Sequence, residues 1–316
     1  MDTGGGRGER VGDGSVPVVL VHGLRTSRTM WRAQVEALTH AGHRAVAIDL
    51  PGHGRRRAER FTLDGAVGAI GAAIDATGER ALVVGLSLGG YVAITHAARN
   101  PHQVVGLVAA SCSTRPTRPV VDAWLLAAHA IARLPDSGAG LNQVLVDHTL
   151  NPLAADDVAA GGFAYDVVID ALRAVRGLDP IADLARVQAP VWLVNGRFDH
   201  FRSQERRYLA ACRDGRLVVV PHAKHLVSLD APVGFTRVLL EALAQVAGAR
   251  VDGARVDGAQ VDGSAPAQAP RAHAADDPRG VGDDDDVVPQ PREDLRRDLA
   301  RVAAAQVQAV PHEHRS

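Results

Sequence analysis

The chain is poor in residues that would have narrowed its role. Lys224 is its single lysine, so arginine supplies nearly all of the basic charge. The 35 basic residues are balanced by 36 acidic ones, for a net charge of −1. That balance argues against a dedicated nucleic-acid or anionic-membrane partner, because both need an electrostatic footprint. The arginine excess, with richness in Ala, Gly and Val, reads as a compositional bias of the coding sequence. Two cysteines, Cys112 and Cys212, lie far apart in no metal or redox spacing, and a domain of this size needs no disulfide. No stretch reaches the roughly 18 apolar residues of a membrane span. The Gly-rich start of the chain has no signal-peptide core, so a soluble cytoplasmic protein is expected. Also missing is a G-x-G-x-x-G followed about 20 residues on by an acidic ribose ligand, which speaks against dinucleotide binding.

What is present is core-forming sequence, 46% hydrophobic over 316 residues. Between Pro17 and about Ala247, short apolar runs alternate with helical patterns, the signature of an α/β protein with a mostly parallel sheet between helical layers. Strands read at Val18 to Val21, Ala45 to Ile48, Ala81 to Val84, Val104 to Ala110, Val191 to Val194 and Leu217 to Val220. Helical faces read through Trp31, Val35 and Leu38, through Leu63, Val67, Ile70 and Ile74, and through Phe235, Val238, Leu239, Leu243 and Val246. The strand rhythm stops over residues 113–186, where helices are expected over Trp124 to Leu134, Val144 to Leu150 and Phe163 to Val175. The organisation expected is a core over 1–112 (1–15 flexible), a helical cap over 113–186, the rest of the core over 187–247, and a tail over 248–316. The tail opens on a five-residue repeat, Val251-Asp252-Gly253-Ala254-Arg255 onward, and reads as disordered. One short amphipathic helix is expected between Arg292 and Val310, through Leu295, Leu299 and Val302.

The chemistry centres on Gly85-Leu86-Ser87-Leu88-Gly89, which places a serine between two glycines, after a strand and before a helix. A turn that sharp admits only small side chains on either side and thrusts the serine hydroxyl out of the sheet. A serine hydroxyl is a weak nucleophile, so it needs a base, and the base needs a group to orient it. Asp199, in the loop after Val191-Trp192-Leu193-Val194-Asn195-Gly196, is the candidate acid, although an Asp there also suits a turn or cap. His225 is the candidate base after the next strand; His222 competes for that place, and Asp230 reads as the cap of the final helix. Acyl transfer also needs two preorganised backbone N–H groups for the oxyanion. Leu88, just after the serine, offers one, and Leu24, in His22-Gly23-Leu24-Arg25, offers the other. His22 itself reads as structural.

Val21-His22-Gly23, Asp49-Leu50-Pro51-Gly52-His53-Gly54, Gly85 to Gly90, Gly196-Arg197-Phe198-Asp199 and Ala223-Lys224-His225 occur in that order. As a set they resemble the α/β-hydrolase superfamily over residues 10 to 247. The resemblance implies an eight-stranded, mostly parallel sheet, a helical cap and a Ser87-Asp199-His225 triad working with no cofactor and no metal. Asp49 to Gly54 would be a structural turn. Only about fifteen residues precede Pro17, with Glu9 to Val11 as the remnant of an opening strand, so a short sheet edge is expected. Flanking Leu86 and Leu88 resemble enol-lactone hydrolases and cofactor-free haloperoxidase-like esterases. The function expected is hydrolysis of a small carboxylic ester, lactone or thioester through an acyl-enzyme. Carbon–carbon bond hydrolysis, acyl transfer and non-catalytic ligand binding are the rivals. The partner is an ester-like small molecule, with a second copy of the chain also allowed. Arg25, Trp124, Leu125, Phe163 and Leu226 are the residues expected at the pocket, with Leu126 and Leu145 contributing from the cap.

Overall fold

The computed structural model describes residues 15–258 and residues 293, 294, 297, 298, 300 and 301, with the side chains of 145, 147–149 and 249–258 left aside. Strands β1 (Val18–Val21), β2 (Ala45–Ile48), β3 (Ala81–Leu86), β4 (Val104–Ala110), β5 (Val191–Gly196) and β6 (Gly215–Val220) form one sheet. Its order is β2-β1-β3-β4-β5-β6, and each pairing is parallel. The helices are α1 (Arg32–His40), α2 (Leu63–Asp75), α3 (Leu88–Arg99), α4 (Arg118–Ala132), α5 (Ala139–Thr149), α6 (Pro152–Ala159), α7 (Val168–Val175), α8 (Pro180–Leu184), α9 (Glu205–Ala211), α10 (Val227–Asp230) and α11 (Pro232–Gly258).

The strands read as continuous apolar runs because both faces of the sheet are covered. Val19, Val21, Val83, Leu107 and Leu193 point to one layer, with Ile70 of α2, Val92 of α3 and Tyr208 of α9. The alternate residues Val18, Leu20, Leu82, Val84, Val108 and Trp192 point to the other, with Leu38 of α1 and Phe235, Leu239 and Leu243 of α11. Period-two alternation along each strand therefore divides the apolar residues between two cores.

From β1 the chain runs outward through α1 to β2, then returns to place β3 on the other side of β1. The carboxyl ends of β1 and β3 thus flank a topological switch point, where open α/β sheets leave a crevice for ligands. Val21 lies opposite Gly85 in this pairing, so the loop after β1 and the turn after β3 rise side by side.

The resemblance implied eight strands; the sheet has six among the described residues, and Glu9 to Val11 lie outside them. The expected helix from Phe163 starts only at Val168, because Gly161 and Gly162 open a loop that carries Phe163 across the site. Gly162 has φ 70° there. Past Gly248 the chain remains helical to Gly258, since Ala, Arg and Val outweigh scattered glycines at the start of the repeat. Leu295, Leu299 and Val302 lie outside the described residues; Glu293, Asp294, Arg297, Asp298, Ala300 and Arg301 are helical.

Candidate active site

Ser87 caps the N-terminus of α3 with φ 54° and ψ −114°, a conformation that non-glycine residues rarely hold. Surrounding structure fixes it: the Ser87 N–H donates to the Ala110 carbonyl at 2.8 Å, and the Tyr91 N–H donates to the Ser87 carbonyl at 3.1 Å. Two glycines are sterically required. A Cβ on Gly85 would lie 2.2 Å from the Gly89 carbonyl oxygen, and one on Gly89 would lie 2.3 Å from that of Val21. Strand, turn and helix are compressed until no side chain fits between them, and the hydroxyl is left facing the crevice.

The structure brings the three distant side chains together. His225 Nε2 lies 3.0 Å from Ser87 Oγ, and His225 Nδ1 lies 3.0 Å from Asp199 Oδ1. Asp199 stands in the loop after β5, and the same oxygen accepts the Phe201 N–H at 2.8 Å. Burial alone would raise the Asp199 pKa; the hydrogen bond and charge of His225, the Phe201 N–H and the nearby Ser111 hydroxyl outweigh it and hold the carboxyl below its usual range. An ionised Asp199 on Nδ1 fixes the tautomer that leaves Nε2 free to accept a proton from Ser87. His222, in a left-handed turn with φ 59°, is exposed and takes no part. Asp230 does not act as the expected cap of α11. It ends α10, and its Oδ2 accepts the Lys224 N–H at 2.8 Å, which ties down the loop that carries His225.

The loop after β1 is held from below. His22 is fully buried, donating from Nδ1 to the Gly23 carbonyl at 2.8 Å and accepting the Leu50 N–H on Nε2 at 3.0 Å. Burial, with the neighbouring His53, lowers its pKa to about 3, so it is a neutral structural group. His53 accepts the Arg25 N–H on Nε2 at 3.3 Å. Asp49 accepts the Arg28 N–H at 2.8 Å and the Arg55 N–H at 3.0 Å, and pairs with the Arg28 guanidinium. A Cβ on Gly54 would strike the Asp49 carboxyl at 2.4 Å, so Asp49 to Gly54 is a packed turn that braces the loop. On this platform Leu24 stands beside Ser87 at the crevice, and Leu88 follows Ser87 at the start of α3.

Two cavities open on Ser87. One, of about 470 Å³, is lined by Leu24, Phe163, Phe198, Lys224, Leu226 and others; the second, of about 540 Å³, runs beneath α4 and α7 past Trp124, Tyr165 and Leu172. Arg25, His200 and Phe201 border both. Of the expected pocket residues, Arg25, Trp124, Phe163 and Leu226 line a cavity and Leu125 does not. On α4 the residues lining the second cavity are Trp124, Ala127, Ala128, Ile131 and Ala132, and Leu125, about 100° round the helix from Trp124, lies just past the edge of that stripe. Leu126 is 75% exposed, and the side chain of Leu145 lies outside the described residues. Two aromatic neighbours escaped the sequence reading. Phe201 lies against the His225 ring with centroids 4.8 Å apart, and His200 lies 5.1 Å from it. Their only sequence signal is adjacency to Asp199.

This geometry is accompanied by a family match. Residues 18–238 match the alpha/beta hydrolase family, and the chain belongs to it. A pimeloyl-[acyl-carrier protein] methyl ester esterase of Neisseria meningitidis is 31% identical over 234 residues, covering 69% of this chain and 90% of the relative. An epoxide hydrolase B of Mycobacterium tuberculosis is 40% identical over 99 residues, 30% of this chain, and the match spans only 28% of that relative's length. Among solved structures, the enol-lactonase of Burkholderia xenovorans superposes with a TM-score of 0.62 at 21% identity, over 75% of this chain and 94% of its own. The protein is an α/β-fold hydrolase, and among the described residues no helix is long and apolar enough to cross a membrane.

Proposed function

We propose that the protein is a serine hydrolase that cleaves a small carboxylic ester, lactone or thioester through an acyl-enzyme. The observation that carries this reading is the continuous relay from Ser87 Oγ to His225 Nε2 and from His225 Nδ1 to Asp199, at 3.0 Å each. In this scheme Ser87 attacks the carbonyl carbon while His225 takes its proton, and the Leu24 and Leu88 N–H groups receive the oxyanion. The tetrahedral intermediate then collapses, and His225 gives its proton to the departing alkoxide oxygen (tethered to the acyl group in a lactone) or thiolate sulfur. Water, deprotonated by the same imidazole, hydrolyses the acyl-enzyme. Asp199 stays ionised and stabilises the imidazolium.

The likeness to an epoxide hydrolase does not extend to this chemistry. Opening an epoxide with Ser87 would leave an alkyl ether, which a histidine-activated water cannot hydrolyse; a serine at the elbow fits acyl transfer. The methyl ester esterase is a relative whose named reaction is of this acyl-transfer kind. The helices between β4 and β5, apart from α8, which packs on α3 and α9, serve in this reading as the cap. Ser87→Ala is expected to abolish turnover and fluorophosphonate labelling while leaving the melting temperature within a few degrees. Retained ester hydrolysis in that variant would refute the scheme.

A further inference from the structure

We propose that the substrate carries a carboxylate close to its scissile carbonyl and that Arg25 is the residue that recognises it. This rests on the serine hydrolase reading and names the substrate class for the same site. Arg25 and Ser87 line the same two cavities. Its backbone is in the left-handed region, φ 67°, and is clamped at both ends: its N–H donates to His53 at 3.3 Å and its carbonyl accepts the Ala164 N–H at 3.0 Å. A left-handed backbone at a non-glycine residue persists only where its surroundings hold it, and these two bonds fix Arg25 beside the crevice.

What the guanidinium lacks is a counter-charge. Other arginines on neighbouring segments have one: Arg28 pairs with Asp49, Arg57 with Asp166 and Arg60 with Asp170. Arg25 has no such pair among the described residues; the group that acts on its charge is the Tyr165 phenol, and burial disfavours its cationic form. The walls offer it little else. Phe163, Phe198, Phe201, Leu226 and Trp124 are apolar. Asp230, the carboxylate on the first cavity, is engaged by the Lys224 N–H and pushed by burial toward its neutral form. A desolvated guanidinium with no partner is costly, and its five donors match a carboxylate in a fork. Lys224, the chain's single lysine, lies exposed on the first cavity and adds positive charge along the approach.

Because Arg25 and Ser87 line the same two cavities, the carboxylate in this reading lies within a few bonds of the reacting carbon, as in a half-ester of a short dicarboxylic acid or a carboxy-substituted lactone. The test compares monomethyl succinate, glutarate and adipate with their neutral half-amide isosteres. Wild type is expected to prefer the acid at least tenfold in kcat/KM for one of the three lengths. In Arg25→Met the ratio of acid to amide should fall to about one, and in Arg25→Lys it should be partly retained. A purely structural role for the side chain would lower both substrates equally and leave the ratio intact, which overturns the proposal, as does a wild-type ratio of one or less. Absence of turnover of all three acids by wild type that labels at Ser87 overturns it too. Calorimetry on Ser87→Ala separates the two readings. This variant should bind monomethyl glutarate at least tenfold tighter than the half-amide, a difference lost in Ser87→Ala/Arg25→Met, whether or not Ser87 is the nucleophile.

Discussion

Acidification offers a sharp test of the platform beneath the site, because its histidines are built to stay neutral. His22 uses both ring nitrogens in that form: Nδ1–H donates to Gly23, and Nε2 accepts from Leu50. A proton on Nε2 would face the Leu50 N–H. His96, buried in α3, turns Nδ1 toward the Val67 carbonyl at 3.2 Å and leaves Nε2 without a partner, so a proton there would have no acceptor. Burial lowers the His22 pKa to about 3 and the His96 pKa to about 4. In the unfolded chain both titrate near 6.5. Below about pH 6.5 the unfolded state therefore binds protons that the folded state refuses, so this stability is present in full above 6.5 and is lost as pH falls toward 4 and then 3. Between pH 7 and pH 5 each imidazole forfeits about 2 kcal/mol, together about 4 kcal/mol, a large share of a typical 5–15 kcal/mol.

Over that window other groups contribute little or can be separated. Asp49 and Asp199 are held below the usual carboxylate range, so their losses come at lower pH. Asp230 is raised by burial and works in the opposite direction, an offset that Asp230→Asn removes. His53 and His200 are lowered by burial and add to the loss, in the same direction as His22 and His96; protonation of His53 would also release the Arg25 N–H. The assay is urea unfolding at pH 7, 6 and 5 and constant ionic strength, read as a fall in midpoint at constant m. His96→Gln should reduce the fall by about 2 kcal/mol, whatever it does to stability at pH 7. A free energy flat to within 1 kcal/mol from pH 7 to 5, or a pH dependence unchanged in His96→Gln, would refute the reasoning.

Two substitutions probe the site itself. Asp199→Asn keeps the shape but removes the charge behind His225 and favours the wrong tautomer; kcat should fall roughly 10⁴-fold with a smaller change in KM, and a fall under tenfold would remove Asp199 from the relay. Gly85→Ala pushes a methyl into the Gly89 backbone, 2.2 Å from its carbonyl oxygen, where no flexible side chain can yield. It should cost about 3 kcal/mol or more and misplace Ser87, seen as a lower melting temperature together with lost labelling; a variant as stable as wild type would show that the turn relaxes.

The strands were legible because burial on both faces turns each into an apolar run, so Val18 to Val21 and Val104 to Ala110 announce themselves without knowledge of the partner strand. Ser87, Asp199 and His225 were legible for a related reason. Each follows such a run directly, and parallel strands bring their carboxyl ends to one edge, so order along the chain stands in for proximity. The same logic fails for the cap. Trp124 and Leu125 are equally apolar neighbours on α4, yet only Trp124 faces the second cavity, because that choice depends on how α4 rolls against α7. Phe201 meets His225 through the shape of a loop, and no periodicity encodes that contact.

Arg25, in its proposed role, shows why a substrate is harder to read from sequence than a candidate relay. Its sequence position, two residues past Gly23, puts it in the loop expected to supply an oxyanion donor, and the structure puts the residue on the lining of both cavities. The informative property, a guanidinium with a clamped backbone and no counter-ion among the described residues, exists only once His53, Ala164 and the paired arginines have been placed around it. A reaction mechanism requires a few fixed groups at strand ends, and strands are local. Specificity is set by which charges remain unpaired after folding, and that is a property of the whole arrangement.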